Sequence, residues 1–441
     1  MRRTWWIIST SSSRSTKHRL KPDQLLLATL LTAPRRRSNG LAWNMKLIAI
    51  STVLAVLIVG AGCRVASKFM HEASVPPEDR GLRERNRVYE FMIKLTSSDT
   101  ESRNHAGDDL KFKELSDSSV HLLVQLLTDA FRVGDPDVQW RAMAHLAYVG
   151  PRASPALPFL MEQAHSENAG FRAGAAFALE HIGPDAREAI PALILMLDDK
   201  NEHVRASSAS ALRVFGSDAR DAVPRLIRNL SDSYFVARSS AADALGMIGP
   251  AAKDAVPHLI KVIEQQKGDP VRSALWALDR IGPAARQAVP VIITMLDHGN
   301  RGLRLAAIDA LGSIRPTEED VVHQLAARIV HKDMELNHHI ARAMERIGRP
   351  AVHTFVKVVT GENAELRVLA IRSLGNIGPD AKQAIPALTG ALDDHRAAGP
   401  ISSAASAPRT VGDWARIALD KIEQKEGPPN QSLKATGEPA P

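Results

Sequence analysis

Residues 204–224, VRASSASALRVFGSDARDAVP, contain the pattern that decides the fold. Leu212 and Phe215 stand four and one residues before Gly216, a spacing that places both on one face of a helix. Gly216 can end that helix, because glycine takes left-handed backbone conformations without strain. Pro224 follows eight residues later and suits the first turn of a second helix, where its missing N–H is not needed. The stretch therefore predicts a helix, a tight turn and a second helix.

The same pattern recurs along most of the chain. The positions equivalent to Gly216 are 33 residues apart six times and then 30 apart, and they are Gly150, Gly183, Gly216, Gly249, Gly282, Arg315, Gly348 and Gly378. The prolines that open the second helices are Pro158, Pro191, Pro224, Pro257, Pro290 and Pro386. One helix pair cannot bury its apolar stripe alone, whereas stacked neighbours bury it in a continuous core. The sequence therefore predicts an all-α fold, an α-solenoid (superhelix) of about eight helix pairs.

These units resemble the HEAT repeat, in the short 33-residue form also found in phycobilisome-lyase-like proteins. The resemblance rests on Val204-Arg205-Ala206, on Ala211-Leu212 and on the following Asp221-Ala222-Val223-Pro224, and it covers roughly residues 137–397. Ankyrin repeats share the period, but their Thr-Pro-Leu-His signature is absent, as is the tetratricopeptide pattern of Trp, Tyr and Phe. The resemblance implies a HEAT-like solenoid and says little about function.

Arginines recur near the starts of the first helices of the pairs: Arg172, Arg205, Arg238, Arg272, Arg304 and Arg367. Acidic residues precede most of them: Asp199, Asp232, Asp269, Asp297 and Glu365. Such a row can form a basic track for phosphates, whereas the HEAT resemblance implies a structural ladder of Asp–Arg pairs between neighbouring repeats. The charge distribution favours the ladder. Residues 1–44 carry a net charge of +8 and the whole chain +7, which leaves −1 for the remainder.

Residues 45–63 predict an export signal. Met45 and Lys46 precede an apolar run at 47–59, and small residues lead to Cys63, the single cysteine of the chain. The run is shorter than the roughly 20 apolar residues that a transmembrane helix needs. Its end resembles the lipobox of bacterial lipoproteins, which implies lipidation of Cys63, although Gly60 stands where that family has a branched residue. Cleavage without lipid, a retained membrane anchor and a cytoplasmic protein are the alternatives.

The remaining segments differ in composition. Residues 1–44 have no helical period, and we interpret them as a mis-assigned extension ahead of a true start at Met45. An unusually long leader is the alternative. Residues 64–84 predict a linker. Residues 85–426 predict the solenoid with an N-terminal cap and a closing C-terminal helix, and 427–441 predict a disordered tail because Pro, Gly and polar groups dominate there.

The repeat pattern falters between residues 315 and 360. Arg315 replaces the marker glycine, His323 replaces the second proline and Asn337 replaces the arginine. The histidines of a possible binding surface in this stretch are His323, His331, His338 and His339. Imidazole is a common metal ligand, but no His-x-x-x-His or His-Glu-x-x-His spacing supplies a preformed pair. We expect no metal here, and both a specialised binding surface and plain repeat drift remain open.

Catalytic motifs are absent from the sequence, which has no nucleotide-binding loop, no Gly-x-Ser-x-Gly and no Cys-x-x-Cys. The alternative function is that of a HEAT-like lyase or oxidoreductase of the phycobilisome-lyase or deoxyhypusine-hydroxylase group. The hydroxylases rely on repeated His-Glu pairs, and here the single such dipeptide is His71-Glu72. We expect instead a non-catalytic protein-binding scaffold of the bacterial cell envelope, membrane-anchored or periplasmic, with no cofactor and no nucleic-acid partner. Candidate contact residues on the second helices are Arg225, Arg228, His258 and Lys261.

Overall fold

The computed structural model describes residues 80–106, 110, 112–265, 270–329, 333–397 and 410–423. They belong to one compact unit of the chain, Gly62–Pro441. Within these residues the regular structure is helical, and one isolated β-bridge joins Ala397 to Thr410. The all-α fold class is therefore confirmed.

Eight helix pairs follow a three-helix cap. The cap contains α1 (Arg80–Leu95), α2 (Thr100–Asn104) and α3 (Asp117–Val133). Repeats 1 to 8 each have a first and a second helix: α4 and α5 (Pro136–Val149, Leu157–Gln163), α6 and α7 (Ala169–Ile182, Ile190–Met196), α8 and α9 (Glu202–Arg213, Val223–Asn229), α10 and α11 (Phe235–Ile248, Val256–Glu264), α12 and α13 (Pro270–Ile281, Val289–Thr294), α14 and α15 (Arg301–Ile314, Glu319–Ala326), α16 and α17 (Met334–Ile347, Val352–Val359), α18 and α19 (Ala364–Ile377, Ile385–Gly390). The closing helix is α20 (Val411–Glu423).

The helices stack as two layers. Each first helix packs on the first helices before and after it, α3 packs on α4, and α20 takes the place that a ninth first helix would have beside α18. Second helices pack against the first helix of the following repeat in most of the array. This nearest-neighbour packing is that of a solenoid, as the sequence predicts.

The core consists of the apolar positions that define the repeat. The residues four positions before each marker are all fully buried: Leu146, Leu179, Leu212, Leu245, Leu278, Leu311, Met344 and Leu374. One large residue of each second helix is also buried: Leu160, Leu193, Leu226, Leu259, Ile292, Leu325, Phe355 and Leu388. Burying one such side chain contributes about 1.5–3 kcal/mol, so this double row is a large part of the favourable free energy of stacking.

The turn between the two helices depends on a conformation that only glycine adopts easily. Gly249 ends α10 at φ 71° and ψ −138°, and Gly183 ends α6 at φ 80° and ψ −149°. The positive φ agrees with the sequence-based expectation, but the ψ lies outside the left-handed helical region. In six repeats a seven-residue 3₁₀ turn follows and ends at the second helix: Gly150–Ala156, Gly183–Ala189, Gly216–Ala222, Gly249–Ala255, Gly282–Ala288 and Gly378–Ala384.

Repeats 6 and 7 have different turns. Arg315 takes the left-handed helical conformation, with φ 54° and ψ 59°, because its Cβ excludes the conformation that the glycines use. The described chain then continues without a 3₁₀ turn to α15. In repeat 7 the 3₁₀ turn shortens to Arg349–Ala351. The irregularity that the sequence predicts is thus a change of turn, and the helix pairs themselves persist.

The boundaries differ from expectation at the N-terminal end. Helix α1 begins at Arg80, inside the predicted linker 64–84, because Glu84 is buried at 4% exposure and accepts hydrogen bonds from the cap. Its Oε2 lies 2.8 Å from the Ser116 N–H nitrogen and 3.1 Å from Ser119 Oγ. At the other end α20 stops at Glu423. Among the helices so described, none is long and apolar enough to cross a membrane.

Candidate functional site

Two arginines predicted to form the ladder each hold an aspartate of the next repeat. Arg172 donates to both carboxylate oxygens of Asp199, at 2.7 and 2.8 Å, and Arg205 donates to both oxygens of Asp232, at 2.5 and 2.7 Å. These bidentate pairs are largely shielded, because Arg172 has 10% of its side-chain surface exposed and Asp232 has 6%. Each pair joins one first helix to the loop before the following first helix.

The same guanidinium groups close their own loops. Arg172 Nη1 donates to the carbonyls of Ser166 and Glu167, and Arg205 Nη1 donates to the carbonyl of Asp199 at 2.8 Å. Burial alone would raise the pKa of Asp232, but hydrogen bonds from Arg205 and from a backbone N–H hold that pKa below its ordinary value. The arrangement fully occupies these arginines, which argues against a free basic track for phosphates.

The ladder is shorter than the sequence predicts. Arg238 and Arg304 keep their carbonyl contacts, to Asp232 and Ser233 and to His298 and Gly299 respectively, but neither has an ion pair with a described acidic residue. Gln265 stands 27 residues after Arg238, where Asp232 stands 27 residues after Arg205, so the corresponding carboxylate is absent.

Arg272 is not a ladder residue, because it stands one position out of register. The equivalent of Arg238 in repeat 5 is Val271, which is 2% exposed, and Arg272 points to solvent. Asp269 lies outside the described residues, and Asp297 pairs with Arg328 at 2.5 Å.

Arg367 forms the ladder's third pair at the far end of the array. It is 9% exposed and contacts Asp394, a partner that the sequence reading did not identify. Glu365, which the sequence reading offered instead, is exposed in the first turn of α18. The 27-residue separation seen in Arg172–Asp199 would have found Asp394, because it recurs in Arg367–Asp394.

The histidines of repeats 6 and 7 do not form one cluster. His323 is exposed on the second helix α15, whereas His338 and His339 lie on the first helix α16, in the other layer. His339 Nδ1 lies 3.1 Å from Asp309 Oδ1, and His338 Nδ1 lies 2.6 Å from the Met334 carbonyl oxygen. His331 is outside the described residues. Over the described ranges, no group of three or more His, Cys, Asp or Glu side chains is placed to hold a metal ion.

The candidate residues on the second helices are solvent-accessible but partly neutralised. Arg225 and Arg228 both bind Asp198, each at 2.8 Å. His258 and Lys261 are exposed on α11. Cys63, the predicted lipidation site, lies outside the residues that the structure describes.

The largest exposed aromatic side chains of repeats 1 and 2 lie on neighbouring first helices. Trp140 and Tyr148 of α4 are 53% and 65% exposed, and Phe177 of α6 is 42% exposed; we call these three residues the aromatic patch. A Cβ built on Gly174 would lie 3.6 Å from the Trp140 ring, so Trp140 leans towards α6. The aromatic patch was not predicted from the sequence. The available signal was Trp140 itself, which stands where repeats 2 and 3 have alanine.

The border of the aromatic patch carries little unbalanced charge. Arg141 is bound by Asp137 at 3.0 Å and by Asn104 at 2.9 Å. His181 contacts the Phe177 ring, with 4.3 Å between ring centroids. The patch therefore presents apolar rings with a polar rim, which is the composition of protein–protein contact sites.

Comparisons with known proteins agree with this architecture. The family described as HEAT repeats matches residues 120–213 and 190–279, and the PBS lyase HEAT-like repeat matches residues 366–394. No curated protein matches the sequence.

Two solved structures are among those similar to this chain. The crystal structure of an engineered protein covers 76% of this chain and 98% of its own, with 22% identity and a TM-score of 0.49. The complex of CpcE and CpcF of phycocyanin lyase from Nostoc sp. PCC7120 covers 53% of this chain and 94% of its own, with 24% identity and a TM-score of 0.34. Neither similarity supports an inference about activity. The repeat matches and the stacked helix pairs together show that this chain contains HEAT repeats, at residues 120–279 and 366–394.

Proposed function

We propose that this protein is a non-catalytic scaffold that binds a protein partner through the aromatic patch. The observation that carries the proposal is the exposure of Trp140, Tyr148 and Phe177 on two adjacent first helices. Aromatic side chains with large exposed area are enriched among the residues that dominate binding free energy, and Trp and Tyr lead that group. Exposing these apolar rings to water costs free energy in the isolated solenoid. A partner surface that covers the rings would offset that cost.

The rigidity of the neighbouring repeats supports this proposal. The carbonyl contacts of Arg172 and its bidentate pair with Asp199 fix the loop at the start of α6, the helix that carries Phe177. A side chain held on a fixed helix loses little conformational entropy on binding. The second-helix residues Arg225 and Arg228 are a weaker candidate surface, because Asp198 already binds both.

Site-specific photo-crosslinking tests the proposal. A photoreactive phenylalanine analogue at Tyr148 should crosslink a discrete partner in cells. The same analogue at Phe235, an aromatic residue 50% exposed in repeat 4, is the matched control. The double change Trp140→Ala and Phe177→Ala should reduce the Tyr148 crosslink at least tenfold without changing helicity. Equal crosslinking at both positions, or an undiminished crosslink in the double variant, would reject the aromatic patch as the binding surface.

We further propose that the scaffold is held at the bacterial cell envelope by residues 45–63, which lie outside the described residues. The proposal rests on the apolar run and on Cys63 as read from the sequence. A lipid chain contributes about 0.8 kcal/mol per buried CH₂, so more than one chain is needed for firm attachment. Cys63→Ser should move the protein from the membrane fraction to the soluble fraction. Unchanged fractionation would leave the apolar run itself as the anchor, and a soluble wild-type protein would reject the localisation.

A further inference from the structure

A cavity of about 110 Å³ lies between α18 of repeat 8 and the closing helix α20. Its walls are Arg372, Gly375 and Asn376 from α18, and Trp414, Ile417 and Lys421 from α20. The two helices approach closely at Gly375, where a Cβ would lie 3.0 Å from the Cα of Ala418. The polar side chains on either side of this contact thus line one cleft.

Two cations line the cavity, and no carboxylate does. The Arg372 guanidinium carbon lies 5.0 Å from the centre of the Trp414 ring, and Lys421 Nζ donates to Asn376 Oδ1 at 3.1 Å. Across the described part of the chain, neither cation has an acidic partner within ion-pair distance. Asn376 Nδ2 in turn donates to Glu345 Oε2 at 3.3 Å, so the amide is held between Lys421 and this carboxylate.

The geometry of Arg372 favours a planar anion. An arginine stacked on an aromatic ring keeps the edge of its guanidinium available for two parallel hydrogen bonds to a carboxylate. The cleft is open to solvent, so its volume limits only the part of a ligand that enters it. About 110 Å³ corresponds to roughly four waters, and sites for drug-sized ligands occupy roughly 300–1,000 Å³. A carboxylate with its adjoining methylene groups fits this space.

We propose that this cavity is a second contact site of the scaffold and binds the carboxylate of an acidic peptide segment of a protein partner. Arg372 and Lys421 hold the carboxylate oxygens, the Asn376 amide borders them, and Ile417 contacts the methylene groups. The proposal rests on the proposed scaffold function, but it concerns the opposite end of the array from the aromatic patch. The two can therefore fail separately.

The test uses the full chain labelled with 5-fluorotryptophan, and it follows the ¹⁹F resonance of Trp414, assigned with Trp414→Phe. The probe is a capped hexapeptide of alternating glutamate and leucine, and its control has glutamine in place of glutamate. We expect the glutamate peptide to shift the Trp414 resonance saturably and the glutamine peptide to leave it unchanged. The double change Arg372→Gln and Lys421→Gln should weaken binding at least tenfold, and Arg372→Lys should weaken it less. Arg416→Gln, an exposed cation of α20 outside the cavity, should change it less than twofold.

Several outcomes would overturn the proposal. The glutamate peptide could fail to shift the Trp414 resonance, or could bind the double variant as tightly as the wild type. Equal binding of the glutamine peptide would show that the contact is apolar. Tighter binding of the same peptide with phosphoserine in place of glutamate would identify a phosphate site instead. None of these outcomes changes the Tyr148 crosslink, which reports on the scaffold function alone.

Discussion

Repeats 2 and 3 and repeats 6 and 7 have the same helix pairs but different connections. In repeats 2 and 3, Arg172 and Arg205 make bidentate pairs with the following repeat, and both turns contain a glycine with positive φ, Gly183 at 80° and Gly216 at 52°. In repeat 6 Arg315 replaces the turn glycine, and Arg304 has no ion pair with a described acidic residue. In repeat 7 Asn337 holds the ladder position, while Gly348 keeps the glycine conformation. Even so, Leu311 and Met344 are as fully buried as their equivalents in the regular repeats.

The apolar stripe forms the repeat, whereas the ladder and the glycine turn reinforce it. Repeats 6 and 7 are joined by the partly exposed pairs of Arg301 with Asp333 and Glu335 and have no shielded pair at the ladder position. A shielded Asp–Arg pair is therefore not required for the helix pairs to form and stack. The ladder and the glycine turn act on the loops, where they fix one backbone path and satisfy carbonyl groups. We therefore expect core substitutions to have large effects in any repeat, and ladder substitutions to have smaller effects confined to the regular repeats.

The largest effect should come from the core. Leu245→Ala removes a fully buried side chain from α10 and should destabilise the protein by about 2–5 kcal/mol. Because contacts in a solenoid are between neighbours, hydrogen exchange should accelerate mainly in repeats 3 to 5. Denaturant unfolding measures the first quantity and exchange mass spectrometry the second. An even acceleration from the cap to α20 would contradict stacking by nearest neighbours.

Acid should weaken the N-terminal end of the array before it weakens repeats 2 and 3. Burial among Phe91, Phe112 and Tyr148, and the charge of Arg141, lower the pKa of His145 to about 4. The unfolded chain, with a histidine pKa near 6.5, binds this proton more readily. The contribution of neutral, buried His145 to the free energy of unfolding is therefore fully present above about pH 6.5. The free energy of unfolding then falls by up to about 3 kcal/mol as the pH falls towards 4.

The variant His145→Leu should remove this pH dependence, since the His145 Nδ1 has no hydrogen-bond partner among the described residues. The test compares the unfolding free energies of the wild type and His145→Leu at pH 7 and pH 4.5. His165→Gln, which replaces an exposed histidine, is the control. An equal acid effect in the wild type and His145→Leu would show that carboxylates alone cause the loss.

The ladder should contribute less than the core. Asp232→Asn leaves Arg205 shielded from solvent without its carboxylate, and should cost about 2 kcal/mol because hydrogen bonds between charged groups are lost. Asp297→Asn is the matched control from repeat 5, since Asp297 is 71% exposed and exposed ion pairs contribute little. Urea unfolding measures the loss of unfolding free energy in each variant. Equal losses would show that a shielded ladder pair contributes no more than an exposed ion pair.

The smallest effect should be a gain at the irregular turn. Arg315 has φ 54°, so Arg315→Gly should relieve backbone strain and stabilise the protein by about 0.5–1 kcal/mol. The matched change Gly249→Ala, at φ 71° and ψ −138°, should instead destabilise it. Thermal unfolding measures both changes. A loss of stability in Arg315→Gly would mean that the arginine side chain itself holds the turn.

The sequence predicts most of the fold because the repeat defines it. Leu212, Gly216 and Pro224 carry signals that depend on local spacing, and their equivalents lie where the spacing requires. The ladder is predicted less well, because its pairs join residues 27 apart and fail when one partner changes, as with Arg238 and Gln265.

The two candidate contact sites depend on neighbouring repeats rather than on local spacing. The aromatic patch combines α4 with α6, and the cavity combines Arg372 with Trp414 across 42 positions of sequence. Periodicity identifies the helices but not which surface residues of neighbouring helices meet, so neither site could be predicted from the pattern.

Hydrogen exchange of the full chain, measured helix by helix at neutral pH, tests the contrast between the two pairs of repeats most directly. If the ladder and the glycine turns reinforce a stack that apolar burial forms, amides of α6 and α8 should exchange at least tenfold more slowly than those of α14 and α16, a difference of about 1.4 kcal/mol. Asp232→Asn should narrow that difference. Equal protection in the two pairs of repeats, or slower exchange in α14 and α16, would contradict the account.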